Sequence, residues 1–373
     1  MSAISRVTSG VRTFASNPVE RRAYLARLKW LMAGSQGVQA WSLEYRSGLT
    51  GRFEVAVDRL APDPEYVRTC PPGCGANSKL SHLYEQRFAY RIADTITSTA
   101  TGATLACGNE EPPFFVRESI SWPFESILSH GLEIPEASQV AEQITGTSVV
   151  FPTNPNYYHW LIEELPLVLR ARALEPTASF LAYADGITAR HRLVAEILNL
   201  RLRPSPLVVQ CAEQLLPGRA SDSWFIHPSD AQALHSFGAL VAPIPAEGSK
   251  RIYVSRKHSR RALPQEEILE GLLASRGFRI LHLESMPWQE QVAAFRAAEL
   301  VVGPHGAGLA NLVFSAPGAT LIEFTNGQIY NRCFEWISHV TEGTYIAIDS
   351  DAFPNSSDPH RLLECIQRAY PEL

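Results

Sequence analysis

The sequence predicts an α/β protein of two Rossmann-like parallel-sheet domains with a β-rich N-terminal extension, and three observations carry that prediction. From Ser148 onward, short apolar runs suited to buried strands alternate with stretches of helical period, the pattern of a parallel sheet covered on both faces. The Pro- and Gly-rich stretch Pro243-Ile-Pro245-Ala-Glu-Gly248-Ser249 splits that alternation in two and reads as an interdomain linker. A chain of 373 residues also has room for two cores, since single domains usually hold about 100 to 200 residues. The expected layout is a helix and β-rich extension over 1–140, a first Rossmann-like domain over 141–245, a second over 250–350 and a C-terminal helix within 351–373.

Composition narrows the class. With 45% hydrophobic and 19% charged residues the chain is neither disordered nor of low complexity, and a net charge of -5 argues against nucleic acid as a partner. No run approaches the ~20 apolar residues of a membrane span, and no apolar signal core opens the chain, so a cytoplasmic location is expected. Cysteines at 70, 74, 107, 211, 333 and 365 do not form a disulfide framework. Cys70-Pro-Pro-Gly-Cys74 with His82 lacks a second Cys or His pair, so an ordinary loop is expected there rather than zinc.

Residues 1–35 set Arg6, Arg12, Arg21, Arg22, Arg27 and Lys29 against Glu20. A helix over 18–32 would carry Leu25, Leu28 and Leu31 on one side. It reads either as a basic amphipathic surface touching an anionic membrane or as a terminal helix packed on its own domain. Phe53-Glu-Val-Ala-Val-Asp58 and Tyr90-Arg-Ile-Ala-Asp-Thr-Ile-Thr97 are β-like, with a turn at Gly102, and carry no chemistry. Ser148-Val-Val-Phe151 is the next strand.

The segment Asn156-Tyr-Tyr-His159-Trp-Leu-Ile-Glu163-Glu-Leu-Pro166-Leu-Val-Leu-Arg170 is the first chemical stretch. Wound as a regular helix, it puts Asn156, His159, Glu163 and Arg170 on one stripe and leaves Leu161, Leu165 and Val168 for the core. His159 and Glu163 are within hydrogen-bonding reach, and such a pair serves as a base or holds an acceptor hydroxyl; a solvated helical pair is the plainer alternative. Pro166 is expected to kink the helix. There is no H-E-x-x-H, so a zinc protease is excluded. Strands at Ser179-Phe-Leu-Ala-Tyr183, Leu207-Val-Val-Gln210 and Trp224-Phe-Ile-His227, with helices over 189–200 and 231–241, complete the first alternation.

The second half alternates more cleanly. Strand Arg251-Ile-Tyr-Val-Ser255 leads to a helix over 264–276 stopped at Gly277. Strand Phe278-Arg-Ile-Leu-His-Leu283 leads to a helix with Ser285 as N-cap and Pro287 in its first turn. Leu300-Val-Val and Thr320-Leu-Ile-Glu323-Phe are the third and fourth strands. Between these two, Gly303-Pro-His305-Gly306-Ala307-Gly308-Leu-Ala-Asn311 reads as a turn whose glycines take positive φ or let backbone approach a ligand, with free N–H groups that attract a phosphate as a helix begins. A glycine-rich turn with His305 satisfied locally is the structural alternative. The spacing matches neither the Gly-Lys-Ser/Thr phosphate loop nor G-x-G-x-x-G, which argues against a nicotinamide oxidoreductase.

Arg256, Glu284, His305 and Glu323 all follow or end strands, so in a parallel sheet they share the carboxyl edge where ligands bind. Arg256 and His305 are suited to a diphosphate and Glu323 to ribose hydroxyls. Arg261 and Gln291 read as ligand contacts or as ordinary surface groups. Asp349-Ser-Asp351 superficially matches a metal-binding D-x-D, but is expected to be a polar loop.

These pieces resemble glycosyltransferase family 61, a group with the GT-B architecture. The resemblance rests on 156–166, on Tyr253-Val-Ser255-Arg256 with Arg261, Gln265 and Glu266, on Glu284 and Glu290-Gln291, on 303–311, and on Phe314 and Glu323, in the family's order. It implies inverting transfer of a sugar from a nucleotide-diphosphate donor, most often a uridine one, to a hydroxyl of a glycan or protein. The donor residues would be Arg256, Arg261, His305, Gly306, Ala307, Gly308, Asn311 and Glu323. The catalytic residues would be Glu163 and His159, and Asn156 and Arg170 would lie on the acceptor side. The chain departs from the family in Glu163 where Asp is common, in Leu167 where Arg follows the proline, and in Gln265 where Asn precedes the Glu.

The expected mechanism uses Glu163 as base, with His159 orienting it or taking the role itself, and holds the leaving phosphates with Arg256, His305 and loop N–H groups, without a metal or other cofactor. The acceptor expected is a glycan or lipid-linked glycan of capsule, exopolysaccharide or lipopolysaccharide synthesis, at or near the inner membrane face. A catalytically silent nucleotide-sugar-binding subunit is the competing class.

Overall fold

Runs such as Phe180-Leu-Ala and Leu300-Val-Val are apolar at successive positions, so both faces of their strands must be covered, which calls for helices above and below. The computed structural model of the protein describes residues 55–59, 66–69, 79–82, 88–107, 114–116, 119–120, 135–219, 226–325, 332–349 and 358–372. The expected helix over 18–32, the Cys70/Cys74 pair, Trp224, Phe225 and Asp351 lie outside them. The chain divides into two compact units: described residues 55–59 and 88–219 belong to the first, and 66–69, 79–82 and 226–372 to the second.

Six strands come first: β1 (Val55–Arg59), β2 (Tyr66–Thr69), β3 (Lys79–His82), β4 (Phe88–Ser98), β5 (Thr104–Ala106) and β6 (Phe114–Val116). β2 and β3 pair antiparallel in the second unit. The first unit adds β7 (Glu142–Val150), β8 (Ser179–Tyr183), β9 (Arg201–Ser205) and β10 (Val208–Pro217), giving an eight-stranded sheet of order β6-β5-β4-β10-β7-β8-β9, with β1 on β4. The block β10-β7-β8-β9 is parallel, as the alternation predicts. β4 joins it antiparallel on β10, so the N-terminal strands extend the same sheet. Strand β9, Arg-Leu-Arg-Pro-Ser, was not expected: its charged, Pro-containing pattern suits an edge, where only one side is paired.

The first helix of this unit begins as α1 (Tyr157–His159), widens into a π turn over Trp160–Glu164 and continues as α2 (Leu165–Leu174). Then comes α3 (Ala189–Leu198), which Asn199 ends in the left-handed region at φ 50°.

The second unit opens with α4 (Pro228–Val241). The irregular stretch around Pro243–Ser249 comes next, then β11 (Arg251–Val254), α5 (Glu266–Ala274), β12 (Arg279–Leu281), α6 (Trp288–Ala297), β13 (Leu300–Pro304), β14 (Thr320–Thr325), α7 (Cys333–Val340), β15 (Thr344–Asp349) and α8 (Pro359–Ala369). All five strands run parallel in the order β12-β11-β13-β14-β15. One core joins Tyr253, Leu273, Leu300, Val302, Ile322 and, from α8, Leu362 and Ile366.

Three local expectations are corrected by this architecture. β15 is a fifth strand, and Asp349 is its last residue rather than part of a polar loop. Ser285 does not cap the helix after it. Its hydroxyl donates to the His282 carbonyl at 2.8 Å within a 3₁₀ turn, and Pro287 takes the N-cap position. The glycine loop enters a 3₁₀ segment over Ala307–Phe314 rather than an α-helix.

The cysteines Cys107, Cys211 and Cys365 are free. Among the described residues no helix is long and apolar enough to cross a membrane.

Candidate active site

In the first unit the side chain of Asn156 accepts from Tyr158 N at 3.0 Å and so caps α1, while Asn154 Oδ1 accepts from Asn156 N at 3.0 Å. Trp160, Leu161, Ile162, Leu165 and Val168 are all fully buried, so this helix is a core element. A regular helix would need an N–H on residue 166 and would press its ring on the carbonyl four residues back. With proline there, the chain widens by one residue and Leu165 N bonds to Trp160 O.

His159 and Glu163 meet at this widened turn, with Nδ1 2.5 Å from Oε1. The carboxylate side chain is 1% exposed and the imidazole 14%. No described residue bonds Nε2. The arrangement therefore leaves one ring nitrogen to a ligand while the buried carboxylate holds the other, the division of labour that lets an imidazole take a proton and keep its orientation. Neighbouring Glu164 is fully buried and meets the Arg219 guanidinium at 3.3 Å. The extra residue of the π turn rotates the remainder of the helix by about 100°, and Arg170 turns to the carbonyl of Gly218 at 2.7 Å.

The second unit builds a different cluster at the carboxyl edge of its sheet. In chain order its strands lie 2-1-3-4-5, so the direction of winding reverses between β11 and β13, and that reversal is where open parallel sheets bind ligands. Arg256 follows β11 and the glycine loop follows β13. The Arg256 guanidinium donates to the His305 carbonyl through Nη1 and to Ser259 Oγ at 3.2 Å through Nε. Burial first, then the positive charge of Arg261, holds the Arg256 pKa below its ordinary value, while Glu266 acts the other way.

His305 repeats the arrangement of His159: Nδ1 is bound by Glu323 Oε1, with side-chain exposures of 14% and 1%. The second oxygen of Glu323 accepts from Tyr345 OH at 2.7 Å. Both oxygens of the carboxylate expected to meet ribose are therefore engaged within the protein. His305 Nε2 is bonded by no described residue, and Phe334 packs beside the ring at 5.1 Å between centroids.

The glycines act differently from the sequence expectation. None of Gly303, Gly306 and Gly308 has positive φ, and Gly306 is extended at φ -178°. Space is nevertheless tight at all three. A Cβ on Gly306 would fall 2.6 Å from Arg256 Nη1, on Gly308 2.6 Å from Leu283 Cδ1, and on Gly303 2.9 Å from the Val254 carbonyl. Gly306 is thus the floor on which the guanidinium lies.

Asn311 is fully buried and donates to Gly308 O at 3.2 Å and to Gln291 Oε1 at 3.4 Å. Gln291 donates to Leu283 O at 2.8 Å. Both amides brace the loops. Arg261 and Glu284 are exposed.

Three residues not given a role by sequence reasoning contact the candidate residues, or the residues beside them, within their own unit. Glu266, 1% exposed, accepts from Tyr253 OH at 2.8 Å, from Arg256 N at 2.7 Å and from Leu263 N at 3.1 Å, which shapes the Arg256 loop. Its signal was only its place beside Gln265 in the family pattern. Tyr345 lay on an unrecognised strand. Arg190 stands with its guanidinium carbon 4.9 Å from the Tyr157 ring and 4.9 Å from that of Trp160, a cation–π contact between elements far apart in sequence. A cavity of about 380 Å³ lined by Arg251, Gly277, Glu299 and Tyr370 opens at the amino-terminal edge of the second sheet, the edge opposite Arg256 and the glycine loop.

Residues 157–322 match the family model described as Glycosyltransferase 61, a span that holds both imidazole–carboxylate sites except for Glu323. No curated protein matches the chain.

Proposed function

The chain belongs to the glycosyltransferase 61 family through residues 157–322, and from that premise we propose that it is an inverting glycosyltransferase using a nucleotide-diphosphate sugar, in the first instance a UDP-sugar. The family indicates sugar transfer from a donor to an acceptor. The observation that carries the finer reading is the His159–Glu163 pair: a buried carboxylate on Nδ1 and an Nε2 that no described residue bonds, on a helix otherwise given to the core.

In the proposed step, His159 Nε2 takes the proton of the acceptor hydroxyl and Glu163 stabilises the imidazolium that forms. This geometry supports His159, rather than Glu163, as the group that touches the acceptor. The acceptor oxygen bonds to the anomeric carbon from the face opposite the leaving group, the bond from that carbon to the diphosphate oxygen breaks, and its electron pair leaves with the diphosphate. Arg256, His305 Nε2 and the N–H groups of 306–308 stabilise that charge. Arg261 adds a second guanidinium, and Glu323 orients His305 rather than meeting ribose. The step is routed through the chain's own groups and needs no metal. A GT-B arrangement, and an acceptor that is a glycan or lipid-linked glycan of surface-polysaccharide synthesis, complete the reading.

The test needs no acceptor. Purified protein is screened against nucleotide sugars by thermal shift and by release of nucleotide diphosphate. One UDP-sugar is expected to raise Tm and be slowly hydrolysed, Arg256→Ala to lose the shift, and His159→Ala to keep the shift and lose hydrolysis. A panel without any stabilising donor, or His159→Ala with full turnover, would remove the proposal. A donor that binds and is never turned over would favour the silent-subunit alternative.

A further inference from the structure

We propose that the second unit carries a zinc-type divalent-cation site formed by His258, His282 and Glu284. Each offers one ligand atom, and the three atoms lie within 4.8 Å of one another. The topology brings them together: β11 and β12 are parallel neighbours with Val254 opposite Leu281, so the loop holding His258 and the turn holding His282 and Glu284 leave the same rim. The two imidazole rings are 5.4 Å apart between centroids.

What marks this as more than a chance grouping is His282. Its Nδ1 is buried and has no hydrogen-bond partner among the described residues. Its Nε2 lies 3.6 Å from Glu270 Oε1, an ion-pair contact that a small ring rotation would shorten to a hydrogen bond. That carboxylate is held by Ser255 Oγ at 2.6 Å, with Lys257 Nζ 3.7 Å from its other oxygen. A metal-ligating histidine characteristically gives its other ring N–H to such a carboxylate, which fixes the ring and raises its basicity. The unsatisfied Nδ1 is then the nitrogen left for an ion.

The ligand set selects the metal. Two imidazoles and one carboxylate suit Zn²⁺, whereas Mg²⁺ and Ca²⁺ prefer all-oxygen shells. Atoms bound to one zinc at about 2.1 Å stand about 3.4 Å apart. Because His258 and Glu284 are exposed, side-chain rotation is enough to draw them in. The fourth position would remain for water.

Such an ion would clip the loop that carries Arg256 to the turn whose Leu283 packs against Gly308. Its part is positional, and sugar transfer does not pass through it. The site stands whether or not the transferase reading does, because it is read by metal binding alone.

The test uses the full chain, stripped with chelator and titrated with Zn²⁺ against a chromophoric competitor, with Mg²⁺ as a control. One equivalent should bind at micromolar affinity or tighter and raise Tm. His258→Ala and Glu284→Gln, both exposed and so expected to fold, should each weaken binding tenfold or more, and Glu270→Gln should weaken it less. Co²⁺ in place of zinc should give visible absorption in the wild type that His258→Ala loses. No binding, equal binding of Mg²⁺, or binding kept in both ligand variants overturns the site. So does binding lost in Cys70→Ser but retained in His258→Ala.

Discussion

At the scale of single residues, each imidazole is governed by what occupies its far side. Glu163 and Glu323 are buried and each bonds a ring Nδ1, so replacing either carboxylate by an amide keeps the shape and removes the charge. Glu163→Gln is expected to lower kcat by about 10²- to 10⁴-fold, since the amide cannot stabilise an imidazolium, while donor affinity stays unchanged. Single-turnover rates with donor binding measured separately check this, and full turnover would show that the pair is only structural. Gly306→Ala is a different kind of change. Its Cβ would stand 2.6 Å from Arg256 Nη1, and the guanidinium must move. We expect a stability loss of about 1–3 kcal/mol, typical of overpacking, together with a raised donor KM. An unchanged KM would mean that Arg256 does not hold the donor.

At the scale of elements, the helix from Tyr157 to Leu174 shows how far a local pattern reaches. The meeting of His159 and Glu163 was legible because residues four apart stay within reach even where the turn widens. Arg170 was not, because the π turn inserts one residue before it and sends its guanidinium to Gly218. Pro166 signalled a disturbance, though not its form. If the proline maintains the π turn, Pro166→Ala should let the helix close up, keep or raise Tm through better helix propensity, and lower kcat at least tenfold by altering the angle at which Glu163 holds His159. Unchanged kcat would show that packing around Trp160 sets the turn. The glycine loop teaches the same lesson: its composition marked a close approach, but the approaching groups, Arg256 and Leu283, come from other elements.

At the scale of the whole molecule, His191 supplies a pH dependence of folding. It is 1% exposed, bonded to Thr188 Oγ1 at 2.8 Å and facing the Pro152 carbonyl at 3.3 Å. Burial first, then the charges of Arg190 and Arg192 against the Pro152 bond, lowers its pKa from 6.5 to about 4. The unfolded chain therefore binds this proton more readily than the folded one. Its contribution is complete above pH 6.5 and is lost as pH falls towards 4, by about 3 kcal/mol in all. Tm measured from pH 7 to pH 4 should fall more steeply in the wild type than in His191→Gln. Parallel curves would place the titration elsewhere.

The sequence by itself determined the alternation of strands and helices, the residues at strand ends and the family. These come from side-chain period, turn chemistry and motif order, which are properties of neighbouring residues. Only the tertiary structure decided the 2-1-3-4-5 strand order, the antiparallel strands added to the first sheet, the fifth strand, and the partner of each polar group. Glu323, expected to bind ribose, is held by His305 and Tyr345 within the protein. The physical reason is that a buried carboxylate must find donors wherever the fold brings them, and the tyrosine that satisfies this one lies on the neighbouring strand, 22 residues along the chain.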